Sequence, residues 1–430
     1  MSTYRKRSFF FSLSTLLLSG LMGHGQGLGN SPYSAQGIGE VFGNNNITNL
    51  GMGGLGVSYA NGFFLNTANP ALLARNRNTI FEVGLLGQAK EIADNQQTQR
   101  DFGANLSYLS LAFPVAKKMS MGLSLRPYSY VDYQTTNYQR VPGTIYEARY
   151  DYRGKGAINR ASITNGFNIY KNLYVGAEAS FLFGNVITDS ESQLIINGVD
   201  DVTVSRSNLT SYSDIVWKLG AAWRPKLNKN WFMNVGATYD PGTKLRVRET
   251  DTFQQLLFDA TRQGYVEVSP PDTVRNNQRA SLTVPGQWRA GITLEKTLNI
   301  AVGMEVTYQP WSKYRTITGQ SGNLNDSYSI AGGIEYLPKV SSSKYFNLVN
   351  YRAGLSYSRL PYAVQGQPVN DMSLSLGFSL PVGRFVNSVT VSLIGGQRGS
   401  VGDGRIRERY GRVGVSLSLN DRWFQRYKID

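Results

Sequence analysis

From Phe81 onward the chain repeats one pattern: a stretch in which apolar side chains alternate with small or polar ones, then a turn, then the pattern again. Leu173, Val175, Ala177, Ala179, Phe181 and Phe183 interleave with Tyr174, Gly176, Glu178, Ser180 and Gly184. Successive side chains of a strand point to opposite faces, so each stretch reads as a strand with one apolar face. The split recurs at Ile300/Val302/Met304/Val306/Tyr308 against Ala301/Gly303/Glu305/Thr307, at Met372/Leu374/Leu376/Phe378/Leu380 against Ser373/Ser375/Gly377/Ser379, and at Val413/Val415/Leu417/Leu419 against Arg412/Gly414/Ser416/Ser418. An apolar face meets the core of a soluble sandwich or the lipid around a barrel, and alternation alone does not choose.

Alternation and turn residues together predict about fourteen strands, near 78–92, 105–115, 119–136, 157–170, 173–193, 208–227, 230–250, 281–296, 298–315, 326–338, 347–360, 371–382, 386–398 and 409–425. Their connections alternate in length. Long segments at 93–104, 137–156, 194–207, 251–280, 316–325, 361–370 and 399–408 are separated by tight turns such as Lys171-Asn172 and Gly383-Arg384. Short turns on one rim and longer loops on the other are the asymmetry of an outer-membrane barrel, with the short side periplasmic.

The N-terminus supports that choice. Arg5, Lys6 and Arg7 precede an apolar stretch from Phe9 to Met22, and Gly23 and Gly25 offer a cleavage site before Gln26, so residues 1–25 read as a secretory signal peptide. No later segment approaches the roughly 20 apolar residues of a membrane-spanning helix, so a membrane-embedded mature chain must close as a barrel. The expected location is the outer membrane of a Gram-negative-type cell. Composition agrees: 46 Gly, 26 Tyr and no Cys in 430 residues leave no disulfide framework. Three charges of the formal +15 belong to the signal, and the remaining basic residues are scattered, which argues against nucleic acid and for contact with outer-membrane lipid or surface glycolipid.

Glu178, Lys218, Arg289, Glu295, Glu305, Glu335, Arg352 and Arg412 fall on the polar parity of their strands and are expected in the lumen. They line a water-filled path or pair to hold the interior closed; pairing is favoured because both signs are mixed and an isolated buried charge is costly. Aromatics at Tyr128/Tyr130/Tyr133, Tyr308/Trp311/Tyr314 and Trp423/Phe424/Tyr427 are expected in interfacial girdles.

Residues 26–77 precede the barrel (78–430) and do not alternate. This Gly- and Asn-rich segment carries Phe63, Phe64, Leu65, Leu72 and Leu73, too apolar to stay in water, and is expected to fold into the lumen as a plug. The run Leu50-Gly51-Met52-Gly53-Gly54-Leu55-Gly56-Val57-Ser58-Tyr59-Ala60, followed by Asn69-Pro70-Ala71-Leu72, resembles the N-terminal hatch of the FadL-like outer-membrane transporters of long-chain fatty acids and other hydrophobic compounds. Val284-Pro285-Gly286-Gln287-Trp288-Arg289-Ala290-Gly291 is similar to a proline-bearing segment of that family's fourteen-stranded barrel. The lead-in is more Asn-rich here, and the chain ends Arg426-Tyr427-Lys428-Ile429-Asp430 without a terminal aromatic. The resemblance implies that Asn69, Pro70 and Ala71 close the hatch against the wall and that Gly51, Gly53, Gly54 and Gly56 let its backbone turn in a crowded lumen. Without the family, Asn-Pro reads as a firm stop or an ordinary turn.

Gly51-Met52-Gly53-Gly54-Leu55-Gly56 matches a dinucleotide fingerprint only in letters, since no strand precedes it and no helix-forming run follows. The single histidine, His24, lies in the signal, so a mature chain has neither His nor Cys for a triad or a zinc site. Carboxylate pairs at Asp200/Asp201 and Glu249/Asp251 sit in predicted loops or strand ends and read as solvated or as loose cation contacts. No enzyme, metal or cofactor is expected. The leading expectation is passive uptake of a hydrophobic small molecule through a plugged lumen, with Phe63, Phe64 and Leu65 lining its site and exit by hatch movement or a lateral gap. The alternative is a closed barrel that docks in a secretion machine, as FadL-like relatives of the type IX system do.

Overall fold

The computed structural model describes residues 28–195, 202–259, 264–268, 270–364, 366–383, 387–402 and 404–421. The signal region, Asp200/Asp201 and the Trp423/Phe424/Tyr427 cluster lie outside the described residues. The alternating stretches form fourteen wall strands: β1 (Thr79–Ala93), β2 (Thr98–Ala116), β3 (Met119–Arg140), β4 (Glu147–Tyr170), β5 (Leu173–Ile195), β6 (Val202–Trp223), β7 (Trp231–Asp240 and Thr243–Asp259), β8 (Asp272–Val284 and Gln287–Lys296), β9 (Ile300–Gln309), β10 (Ser327–Tyr336), β11 (Asn350–Val364), β12 (Gln367–Val382), β13 (Asn387–Gly402) and β14 (Arg405–Asp421). A short strand, Gly264–Glu267, extends the tip of the β7–β8 hairpin. Neighbours pair antiparallel, and β14 pairs with β1 from Asp421 opposite Thr79 to Arg407 opposite Ala93, which closes the barrel.

Parity sets what each face meets. Phe181, Val302, Leu374 and Val413 are exposed on the outer wall, whereas Glu178, Thr293, Ser375 and Ser416 are buried inside. Two outward rows bound the apolar band. Tyr239, Trp288, Tyr308 and Tyr328 are register neighbours across β7–β10, with the Tyr239 and Trp288 rings stacked 3.9 Å apart. Toward the short turns, Trp231, Lys296, Ile300, Tyr336, Tyr351 and Phe378 are successive partners. Along β9 the rows are about 26 Å apart at the rise of an extended strand, which a strand tilt of about 40° reduces to about 20 Å across the bilayer.

The long connections expected from the sequence are instead mostly strand. β3 runs to Arg140 and β4 starts at Glu147, so 137–156 is the top of a hairpin; likewise β2 begins at Thr98 and β6 at Val202, and β7 and β8 extend into 251–280. Polar residues on both faces hid these extensions, because a hairpin standing clear of lipid needs no apolar side. The rim asymmetry survives as tall hairpins against tight turns.

The aromatic expectation also changes. Tyr130 is 2 % exposed and faces inward, and Tyr128 and Tyr133 pack on the interior core. A bulge between Pro127 and Ser129 shifts the strand's parity there. Trp311 and Tyr314 are buried in the β9–β10 connection; of their trio only Tyr308 joins the outer row.

Residues 28–76 lie against the inward faces of the wall. They include a two-residue strand, Glu40–Val41, an α-helix, Ile47–Leu50, and a 3-10 helix, Pro70–Arg75. A strap, residues 28–42, runs along the edge of β3 where β3 has left β2: their ladder stops at Leu109–Leu125, and Glu40 and Val41 pair with Tyr130 and Ser129 in its place. Ser31 N–H adds a bond to Asp132 O at 2.7 Å and Phe42 N–H one to Tyr128 O at 2.9 Å. Tyr33 and Ile38 of the strap enter the largest apolar cluster, with Ile158, Leu182, Tyr212, Leu245 and Leu282 from the hairpin half of the wall and Trp311 from the β9–β10 connection.

Candidate functional site: the lumen cavity and a break in the wall

Below the strap, backbone meets backbone. Inward positions of adjacent strands carry Gly176, Gly220, Gly236, Gly333, Gly354 and Gly377, and a Cβ at each would collide with the inner segment: Pro70 at Gly176, Asn69 at Gly220, Val57 O at Gly236, Met52 O at Gly333, Gly53 N at Gly354 and Gly51 at Gly377. These glycines were visible in the sequence only as small residues on polar parity. That so many strands carry one where the same segment passes was the missed signal.

Asn69-Pro70-Ala71 sit against β5 and β6. The Asn69 amide donates to Val57 O at 2.7 Å and Ala221 O at 3.1 Å, and its Oδ1 accepts Ala71 N–H at 3.0 Å, capping the 3-10 helix. Of the four glycines in the hatch-like run, Gly53 and Gly54 adopt left-handed backbone, φ 72° and 86°, which other residues resist.

All eight charges read as inward from parity face the lumen, and each has an opposite charge within reach. Glu305 Oε2 accepts the N–H groups of Gly56 and Val57 at 3.0 and 2.9 Å while Oε1 holds Arg289 Nε at 2.9 Å. Glu335 binds Arg352 Nε at 2.7 Å and the Tyr59 hydroxyl at 2.8 Å. Glu295 meets Arg224 at 3.2 Å, Arg75 at 3.7 Å and Asn234 at 2.9 Å. Glu178 lies 3.6 Å from Arg160, and Lys218 3.7 Å from Asp240. Arg412 lies 3.6 Å from Glu40, which Arg398 binds at 2.8 Å and the Tyr130 hydroxyl at 2.6 Å. The Glu40 carboxyl sits well below the usual carboxylate range: burial opposes its ionisation, and the Arg398, Lys90 and Arg412 charges outweigh that. Burial, then Glu335, pushes the Tyr59 phenol well above its ordinary value. Glu249 and Asp251 are held by Arg275 at 2.5 Å and Arg206 at 2.7 Å, and no acidic cluster among the described residues gathers as a metal site.

Between strap and lower segment lies a cavity of about 430 Å³, bounded by Leu28, Phe42, Leu50, Tyr128, Val216 and Trp311 and by Arg126, Arg160, Lys218 and Glu305. Phe63, Phe64 and Leu65 do not line it. Phe64 lies under the Arg352 guanidinium, 4.9 Å from the ring centroid, and Leu65 packs with Leu73, Ile80 and Ala112 near the short turns. The apolar face toward the cavity comes instead from Leu28 and Phe42 of the strap, from Leu50, and from Tyr128, Val216 and Trp311.

Besides the β2–β3 parting that the strap covers, the cavity reaches the wall at a break between β6 and β7. β6 pairs with the lower piece of β7 through Leu219–Tyr239 and with the upper piece from Tyr212–Val247, leaving residues 213–218, which stay paired with β5, without a ladder partner on β7. Pro241-Gly242 interrupts β7 there, facing Pro285-Gly286 of β8. Proline removes a ladder donor, so the break follows from sequence. Asp214 braces it by accepting Arg246 N–H and Nη2 at 2.8 Å. Outward Trp217, 57 % exposed, lines the cavity together with Pro241, Thr243 and Pro285.

The architecture is similar to solved barrels. A Pseudomonas aeruginosa FadL homologue aligns with TM-score 0.60 at 12 % identity over 89 % of this chain and 99 % of that one. The toluene transporters TbuX of Ralstonia pickettii (TM-score 0.54, 13 % identity, 89 % and 99 %) and TodX of Pseudomonas putida (0.53, 15 %, 89 % and 98 %) follow. No curated protein matches the sequence. Identities this low speak to the fold, an outer-membrane β-barrel of FadL type; the family model described as BamG matches residues 7–430, and the chain belongs to the BamG family.

Proposed function

We propose that the protein takes a hydrophobic small molecule into the lumen cavity and releases it sideways at the β6–β7 break. Residues 28–76 act as a plug, behind a signal peptide removed near Gln26. The observation that carries this reading is the continuity of the cavity with the break, where Val216, Trp217, Pro241 and Val284 give an apolar margin. Apolar burial drives entry, at about 25 cal/mol per Å² of surface removed from water. The barrel-type neighbours include transporters described for toluene, which supports this class of solute without choosing between monoaromatics and fatty acids. Liposomes containing the mature chain should take up labelled toluene or oleate faster than empty ones, and Trp217→Ala should change that rate. Uptake equal to that of empty liposomes defeats the proposal.

A second reading has its own support. The apolar cluster around Tyr33 and Ile38 fills the hairpin half of the lumen, and the interior charges are paired. Such a barrel suits a closed docking subunit of an envelope machine, with the tall β3–β8 hairpins as the partner surface. Purification from native membranes with a stoichiometric partner and no bound lipid would favour docking; a lone barrel carrying lipid favours transport.

A further inference from the structure

The upper piece of β7 carries Lys244, Arg246 and Arg248 on its outer face, with Leu245 and Val247 buried between them. Arg279 of β8 stands directly opposite Arg248 in the ladder, and all four cations are exposed. Only Arg246 has an ion-pair partner among the described residues: Asp214, at 2.8 Å, with the Arg246 side chain still 74 % exposed. Like charges directly opposite across strands destabilise a ladder, so the Arg248–Arg279 pair is unfavourable unless an anion sits between the two guanidinium groups.

Position says which anion. The same two strands carry Tyr239 and Trp288 of the outer aromatic row, and Lys244 follows just past the Pro241-Gly242 interruption on the hairpin side. An aromatic row marks the level of lipid headgroups, so these cations stand where the charged groups of outer-leaflet lipids begin. Arginine forks match phosphate oxygens in pairs, which two facing arginines exploit better than two lysines.

We infer that Lys244, Arg246, Arg248 and Arg279 bind the phosphate groups of an anionic glycolipid of the outer leaflet, seating it beside the β6–β7 break. The site needs the outer-membrane placement but not the uptake activity, so the two stand or fall separately.

The test is titration of the detergent-purified mature chain with bis-phosphorylated lipid A, with the same lipid dephosphorylated, and with inorganic phosphate, read by native mass spectrometry. The phosphorylated lipid should bind at least tenfold tighter than the dephosphorylated one. R248Q/R279Q should lose at least tenfold of that affinity, and R140Q, on another hairpin, should lose none. Equal binding of the two lipids, or indifference to R248Q/R279Q, overturns the inference. Competition by inorganic phosphate at equal concentration overturns the lipid assignment in favour of a free-anion site. If R248Q/R279Q does not fold, K244Q should lose at least threefold, and no loss would refute the site; the wild-type lipid comparison decides independently of any variant.

Discussion

The carboxylate of Glu305 accepts the backbone N–H of Val57 at 2.9 Å. One acidic side chain of the wall thus holds two unpaired amides of the inner segment and neutralises Arg289 as well. Its position on the inward parity of β9 follows directly from alternation.

Replacing Glu305 with Ala leaves Arg289 buried without its counter-charge and two amides without an acceptor. Breaking a buried pair in this way costs about 3–5 kcal/mol. The Gly56 and Val57 amides should lose hydrogen-exchange protection while the wall strands keep theirs; unchanged protection at both amides would show that the inner segment is anchored elsewhere.

Gly236→Ala tests the close approach of backbones. Its methyl group would drive into Val57 O, and overpacking of this kind costs about 1–3 kcal/mol. Limited proteolysis of the folded barrel should cut residues 50–65 faster in this variant. Gly395→Ala, where nothing lies within 4 Å of the added carbon, should behave like wild type.

Glu40 ties the strap to Arg398 across the lumen. Because its folded-state pKa is depressed, its contribution is full above the ordinary carboxylate range and disappears only as pH falls through a still lower value. Protection of the strap against protease should therefore persist through mildly acidic pH in wild type. Glu40→Gln should expose the strap at neutral pH, and a variant as protected as wild type would remove Glu40 from the latch.

Parity made the wall legible. Glu178, Lys218, Glu295, Glu305, Glu335 and Arg352 all face inward because one-residue alternation leaves a strand no other choice. It failed where the backbone departs from the period: the bulge at Pro127–Ser129 turned Tyr130 from an expected girdle residue into an interior one. The hairpin tops, polar on both faces, carry no period to read. Pairing of distant partners was also out of reach, because Glu40 lies in a segment without alternation and Arg398 and Arg412 reach it only once the barrel has closed. Of the apolar trio, Phe64 and Leu65 are buried, under Arg352 and in the short-turn cluster and not at the cavity, while Phe63 is only half-buried.

The central claim is that apolar parity meets lipid while polar parity encloses the inner segment. The chain has no cysteine, so single cysteines can be labelled without background. With an environment-sensitive fluorophore in liposomes of brominated lipid, Val302→Cys, Leu374→Cys and Val413→Cys should be strongly quenched, and Thr293→Cys, Ser375→Cys and Ser416→Cys should not. Equal quenching of the two sets, or quenching confined to the second, would contradict the account.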